Sequence, residues 1–467
     1  MENILSNITT LSGIKEILSY FSCEVILTLG VILNFLLFIF KKRDFIRTIS
    51  TILTGLIFGI NIFLIAVTLI GNYIGYNNFD FSNWREYFDL SGYNIFLKLL
   101  LNAFMLMFTV INYKFIRRYR FKTPIINAIS ILLVMCGCLM IECENHILVY
   151  LLLEATALFT YKYASNMRIK KYSVFSSDFI VLSGFATIIF IAFYLMSLKI
   201  YIPAQLSIIN VCISIAVLMK IGIFPIYNYL IIRKCKTNFP FSILVFSYLP
   251  LIGVIAFNKM STSIFPTDEI YQISMIVYLV TSMITFAFYA SKQKNLVKFY
   301  ANFSYFINAF CILNIVYFQA DLRSIFLSVM CAFGLLGLYS LSNILKLNLG
   351  LEKLYIANLK GIFLENRLFA ILYSSILLML IGLIPSGVMV VFLKIIKNIY
   401  IFDKTGFLTV CGISILILLI MFNSLKIVQN IFTFERKSPC KKLTKRTTLN
   451  YVVPVVIIIA LLINLLL

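Results

Sequence analysis

The stretch "SIAVLMKIGIFPIYNYL", residues 214–230, sets a lysine, Lys220, in the middle of an apolar run and follows it five residues later with Pro225. The surrounding run, 205–232, is long enough to cross a hydrocarbon layer of roughly 30 Å as a helix. A lysine at the centre of such a helix costs about 2.5–3.5 kcal/mol on insertion scales, so Lys220 is expected to face protein or water rather than lipid. It stands too far from either end to snorkel to the surface. Pro225 removes a backbone donor and clashes with the preceding turn, so a helix break is expected beside it.

The same pattern recurs. Leu-Met-Lys-Ile-Gly-Ile-Phe-Pro at 218–225 and Leu-Met-Leu-Ile-Gly-Leu-Ile-Pro at 378–385 are identical at five of eight positions. Spans are expected at 24–40, 49–72, 95–112, 124–141, 146–164, 178–198, 205–232, 239–257, 269–290, 297–318, 323–345, 368–400, 405–430 and 449–467. The two stretches then lie in the seventh and twelfth of fourteen helices. Five helices apart, they run in opposite directions through the membrane, which is the mark of inverted-topology repeats. Helices four to eight and nine to thirteen form the expected repeats, each with a proline-broken helix, at Pro225 and Pro385. A break inside the membrane survives only where protein or water satisfies the freed carbonyls. Kinks serving packing alone are the plainer alternative.

Composition supports an all-α polytopic membrane protein: the 467 residues are 61% hydrophobic and 12% charged, and strand-period alternation is absent. One membrane domain is expected over 1–467, with helices one to three in 1–122, the first repeat in 123–258, the second in 268–430 and a last helix in 447–467. The formal charge of +22 is topological. Of the 40 lysines and arginines, 29 fall in loops after odd-numbered helices or at the helix ends bordering them, seven in the other loops, their bordering helix ends and the N-terminus, and four (Lys98, Lys162, Lys220, Lys394) deeper inside spans. Positive-inside bias then puts both termini on the outer face of a bacterial cytoplasmic membrane, and nucleic acid is not an expected partner. Met1 to Phe21 lack the basic start and continuous apolar core of a cleavable signal, so the first span is expected to stay in the mature protein.

Ten cysteines are scattered mostly within spans and show no disulfide framework. Cys136, Cys138, Cys143 and the only histidine, His146, make the densest group. Cys136 and Cys138 point to nearly opposite helix faces, so no metal site is expected there, nor haem or an iron–sulfur cluster.

Lys220 needs a partner, and Glu154 in "YLLLEATALFTYKYAS" is the carboxylate well inside a span of the first repeat. A lysine whose proton affinity depends on a nearby carboxylate loads and releases a proton. A static buried ion pair is the alternative. Lys162, eight residues after Glu154, either continues a polar path or snorkels to the cytoplasmic surface. Asp178 is read as the start of the sixth helix, and Lys394 follows Pro385 by nine residues, its depth open.

At these residues the sequence resembles the antiporter-like membrane subunits of respiratory complex I, most closely the N-type subunit of bacterial NADH:quinone oxidoreductase, related to mitochondrial NADH dehydrogenase subunit 2. "EVILTLGVILNFLLF" is similar to that family's first helix, "LLLEATALFTY" to its fifth and "LMKIGIFPIYNYL" to its seventh. "QKNLVKFYANFSY" is similar to the start of its tenth, through Gln293, Asn295 and Lys298, and "NRLFAILYSSILLMLIGLIPSG" to its twelfth. The resemblance implies a subunit that moves protons through paired half-channels, driven by quinone chemistry elsewhere in the complex. It implies Glu154 as the modulating charge, Lys220 as carrier of the first half-channel and Lys394 as its counterpart in the second. It implies other membrane subunits and the bilayer as partners, no cofactor bound by this chain, and NADH, quinone, FMN and iron–sulfur clusters in partner subunits.

The sequence departs from the family where "FSYLPLIGV" puts Leu251 after Pro250 in place of a lysine, and where Asn308 stands for a histidine in the tenth helix. Either Asp178, Tyr248, Asn308 and water carry the path, or the copy is a structural subunit that has lost pumping. A subunit of a cation/proton antiporter or a membrane-bound hydrogenase, and a lipid-linked oligosaccharide flippase, are the alternatives.

Overall fold

The computed structural model describes residues 22–39, 43–74, 91–118, 123–166, 170–199, 202–225, 242–261, 268–318, 322–349, 354–383, 386–402, 406–433 and 449–463. They fall into two compact units, Met1–Ile169 and Lys170–Leu467. The division runs between the fifth and sixth helices, inside the segment 123–258. Eleven helices among the described residues are long and apolar enough to cross a membrane. Helices are what lipid demands of such sequences, because they satisfy their own backbone donors and acceptors.

The first unit consists of α1 (Ser22–Ile39), α2 (Arg43–Ile74), α3 (Gly92–Arg118), α4 (Thr123–Glu142) and α5 (His146–Ser165). α4 is its centre. It packs on the other four helices and is buried along nearly its whole length. α1 and α2 present Leu29, Ile32, Phe35, Ile52, Leu56 and Phe63 outward, as helices facing acyl chains do. With lipid as apolar as leucine, polar side chains hold such helices together. At one end Ser50 donates to Asn34 at 2.6 Å, Asn127 donates to Ser50 at 2.9 Å, and Asn34 donates to Thr54 at 3.3 Å, joining α1, α2 and α4. At the other end Asn145 caps α5, its side-chain oxygen accepting from the amides of Ile147 and Leu148.

The second unit begins with α6 (Lys170–Ser197) and α7 (Pro203–Ile221). A π turn (Leu244–Tyr248) leads into α8 (Leu249–Ser261), followed by α9 (Glu269–Lys292), α10 (Leu296–Phe318), α11 (Leu322–Leu349), α12 (Arg367–Leu380), α13 (Gly387–Phe402), α14 (Gly406–Phe432) and α15 (Leu449–Ile463). α12 and α13 are the two halves of the expected twelfth span. α10 is buried throughout and α8 and α11 almost throughout, whereas α6, α9 and α14 carry exposed apolar faces. Asp178 lies two turns inside α6, which starts at Lys170. The polar segment ahead of Asp178 continues the helix beyond the apolar run instead of forming a loop.

Asn295, just ahead of α10, and Tyr355, between α11 and α12, form an isolated antiparallel bridge, with Leu296 donating to Leu354 and Ile356 to Lys294. The Asn295 side chain accepts from the amides of Val297 and Lys298. The segment through Gln293, Asn295 and Lys298 is therefore a helix start tied to the segment between α11 and α12.

Candidate functional site

Lys220 sits in the last turn of α7 with 1% of its surface exposed. Its Nζ donates to Thr187 Oγ1 of α6 at 2.8 Å, and Thr187 Oγ1 donates onward to the Ser183 carbonyl at 2.9 Å. The hydroxyl thus spends its proton on the helix backbone and turns a lone pair to the ammonium. One residue after Ile221 the helix stops at Gly222, whose φ is +88°. Gly222 donates to Met219 at 3.2 Å and Ile223 to Leu218 at 2.9 Å. This pair of bonds is a Schellman ending, which needs a left-handed residue and so favours glycine.

The repeat carries the same ending. Gly382 has φ +77°, Gly382 donates to Met379 at 3.1 Å and Leu383 to Leu378 at 3.0 Å. Both breaks therefore occur at glycine, three residues before the proline. Beside the prolines, where a break is expected, the helix ends at a glycine whose left-handed backbone only glycine adopts readily. Pro385 lies outside the described residues. In the second copy Ser386 bridges the gap, donating to the Met379 carbonyl at 3.0 Å and accepting from the Met389 amide at 3.4 Å.

Tyrosines close the first break. The Tyr278 hydroxyl of α9 donates to the Ile223 carbonyl at 3.0 Å. The ring of Tyr305, on α10, lies over Gly222, where an added Cβ would meet it at 2.7 Å. Its hydroxyl donates to the Val245 carbonyl at 3.3 Å. Val245 lies in the π turn, where its carbonyl would accept from residue 250, and residue 250 is a proline without an amide hydrogen. Tyr305 replaces that missing donor. At a third close approach, Gly253 of α8 leaves room for Ile221, which an added Cβ would meet at 2.0 Å.

Two polar lines lead away from the break. Along α7 and α9, Ser207 donates to Asp268 at 2.7 Å, Ser214 and Tyr271 share a hydrogen at 2.9 Å, and Tyr278 reaches the break. Along α10 and α11, the Tyr300 hydroxyl pairs with Ser342 at 3.1 Å and with Tyr373 of α12. Asn308 donates to Ser304 Oγ at 3.3 Å and accepts from Ser328, and Asn314 donates to Ser324 at 2.8 Å. Tyr305 is the neighbour of Ser304 on this second line.

The other expected residues are distributed as follows. Tyr248 and Asn308 are buried, at the end of the π turn and within α10. Leu251 is also buried, so the position that holds a lysine in the resembled family is apolar and enclosed. Asp178 is half-buried on α6. Glu154 is half-buried midway along α5, in the first unit, while Lys220 belongs to the second. Lys162 is exposed in the last turn of α5. Lys394 is exposed on α13, beside Leu393.

A further charged centre lies in the first unit, where sequence reading assigned Lys98 no partner. Lys98 of α3 pairs with Glu24 of α1 at 2.7 Å and with Glu142 of α4. All three are buried. Cys138 turns toward Cys23 of α1 rather than Cys136, and the donor atoms of Cys23, Glu24 and Cys138 lie within 4.8 Å of one another. The Lys98 ammonium already occupies the cation position against Glu24, which disfavours a metal there. The signal available in the sequence was positional: the three charged residues fall at corresponding ends of spans one, three and four.

No protein-family model matches the sequence, and no curated protein matches it. Solved structures do. The chain is similar to one in respiratory complex I from Thermus thermophilus with bound aureothin, at 13% identity and a TM-score of 0.74 over 95% of this chain and 97% of that one. The fold is that of a complex I membrane chain. It is equally similar to a chain of the Mrp complex from Dietzia sp., at 14% identity and a TM-score of 0.74 over 90% of this chain and 81% of that one. A chain of the archaeal membrane-bound sulfane sulfur reductase, a respiratory membrane complex, matches at 12% identity and a TM-score of 0.76 over 96% of this chain and 94% of that one.

Proposed function

We propose that the chain is a proton-translocating, antiporter-like membrane subunit of an NADH:quinone oxidoreductase in a bacterial cytoplasmic membrane, with both termini on the outer face. The observation that carries this reading is the buried Lys220 ammonium, which donates to the Thr187 hydroxyl at 2.8 Å beside a capped helix break. A cation at that depth is poised to exchange a proton, and a static packing role would be served at lower cost by an apolar residue. In this reading Glu154 modulates Lys220, and the hydroxyls of Ser214, Tyr271 and Tyr278 line one approach, with water bridging their steps. Asn308 with its serine neighbours extends the path on the other side. Lys394 on α13 is the counterpart of Lys220 in the second half-channel, on a face that meets a neighbouring subunit. Electron transfer, with NADH, quinone, FMN and iron–sulfur clusters, belongs to partner subunits.

Two observations favour narrower alternatives. The near-equal TM-scores to chains of three different complexes fit a cation/proton antiporter or another respiratory complex as the host assembly. The buried Leu251 fits a subunit retained for structure after pumping was lost. A tagged copy extracted in mild detergent and reconstituted in vesicles separates these. NADH:quinone reductase activity accompanied by proton uptake is the expected result. Sodium/proton exchange without reductase activity would move the chain to the antiporter assembly, and reductase activity and proton uptake both unaffected by loss of Lys220 would leave it structural.

A further inference from the structure

We propose that Cys23 and Cys138 are a modification site in the first unit: a dithiol that a disulfide donor converts to a disulfide stapling α1 to α4. Their sulfurs lie within 4.8 Å of each other. An atom wedged between them and touching both would hold them roughly 7 Å apart, since each van der Waals contact takes about 3.5–4.0 Å. The two sulfurs therefore face each other with nothing between. The remaining approach, under about 3 Å to a bond of roughly 2.05 Å, is of the size by which a change of rotamer at either cysteine moves its sulfur.

The pair belongs to two adjoining layers at one end of the unit. α1, α3 and α4 each give one residue to an ionic layer, Glu24, Lys98 and Glu142. Each gives a second to a sulfur layer: Cys23 beside Glu24, Asn102 one turn after Lys98, and Cys138 one turn before Glu142. Asn102 Nδ2 donates to the Lys98 carbonyl at 2.9 Å, to Cys138 Sγ at 3.7 Å and to Cys23 Sγ at 4.0 Å. Asn61 of α2 donates to the Cys23 carbonyl at 3.3 Å and to Asn102 at 3.4 Å. A cysteine that serves as a small apolar filler needs no donor at its sulfur. Here one amide serves both sulfurs and holds them on the same side of α3. With a metal disfavoured by the Lys98 ammonium, the chemistry left to two facing thiols is to join each other.

The step balances with a disulfide donor and no other reactant. One cysteine gives up its proton, attacks a sulfur of the donor and releases one donor thiol. The second cysteine gives up its proton, attacks the resulting mixed disulfide and releases the other. Two cysteine thiols are oxidised, one donor disulfide is reduced, and both protons leave on the donor thiols. The new bond ties the helix bearing Glu24 to the helix bearing Glu142, so the oxidised form holds the layer around Lys98 by a covalent bond as well as by charge. Cys23 is the second residue of α1 and Cys138 lies one turn from the end of α4. By the charge bias of the loops this is the outer end, the side on which disulfides persist. The inference stands whichever complex the chain belongs to, because its readout is the sulfur–sulfur bond itself.

Dithiodipyridine, a lipid-permeant aromatic disulfide, added to the full chain in phospholipid vesicles tests it. After digestion without reductant, mass spectrometry should find two peptides joined through Cys23 and Cys138, with no pyridyl adduct left on either residue. The joined pair should vanish on addition of a reductant and in Cys23→Ala and Cys138→Ala. The treated wild type should unfold several degrees above the untreated chain, a rise that neither alanine variant shows. The wild-type peptide map decides the matter by itself where a variant fails to fold. Pyridyl adducts retained on both cysteines, a bond from either one to Cys136 or Cys143 instead, or unreacted thiols at both positions would overturn the proposal.

Discussion

Tyr305 donates its hydroxyl to the carbonyl of Val245 at 3.3 Å while its ring covers Gly222. One side chain thereby satisfies the acceptor that Pro250 leaves open in α8 and packs the glycine at which α7 ends. Tyr305→Phe should keep the packing and lose the bond, lowering stability by about 0.5–2 kcal/mol. Gly222→Ala should cost more. It places a Cβ in a left-handed residue, roughly 1–2 kcal/mol in itself, and drives it into the ring. Thermal unfolding of the detergent-solubilised chain should rank wild type above Tyr305→Phe above Gly222→Ala.

Thr187 should matter through Lys220 rather than through its own packing. Thr187→Val is nearly isosteric but removes the oxygen that accepts from the ammonium. Proton translocation should fall severalfold in the reconstituted complex, and Thr187→Ser should restore most of it. Loss in the serine variant with the valine variant unaffected would mean that the methyl group, not the oxygen, is what α6 contributes.

Lys394 is exposed on α13 in the lone chain. Lys394→Met should change the stability of the isolated chain by less than about 0.5 kcal/mol, as surface substitutions do. A cysteine placed by Lys394→Cys should react with a lipid-soluble maleimide in the isolated chain and be protected in the assembled complex. Labelling at the same rate in both would remove the neighbouring subunit from its surroundings.

The polar pair of α10 and α11 should behave as a unit. Ser328 donates to Asn308, and both are buried. Asn308→Leu leaves the serine hydroxyl to find another acceptor, and Ser328→Ala leaves the amide oxygen short of a donor. Each should lower the unfolding temperature. The double variant should cost less than the sum of the two, since neither orphan is then left.

Much of this was legible in the sequence, for reasons particular to each residue. Lys220 announced itself because a cation in an apolar run has no lipid-facing solution, and the 378–385 copy gave its break a symmetric partner. The expected break lay beside the prolines, the louder signal, and the residue that ends each helix was not singled out. Gly222 and Gly382 end the helices through a left-handed backbone that their neighbours' hydrogen bonds define. Tyr271, Tyr278 and Tyr305 carried no sequence signal of their own, since a tyrosine in an apolar helix looks like core until the group it serves is known. Glu24 and Lys98 are 74 residues apart, and only the packing of α1 against α4, with α3 alongside, shows that they meet.

The central claim is that Lys220 carries a proton whose movement is coupled to electron transfer. The measurement that tests it most directly is the ratio of protons moved to electrons transferred by vesicles containing the assembled complex, with wild-type chain and with Lys220→Met. The account predicts a lowered ratio in the variant, with the complex intact and electron transfer retained or slowed. An unchanged ratio in an intact Lys220→Met complex would contradict it.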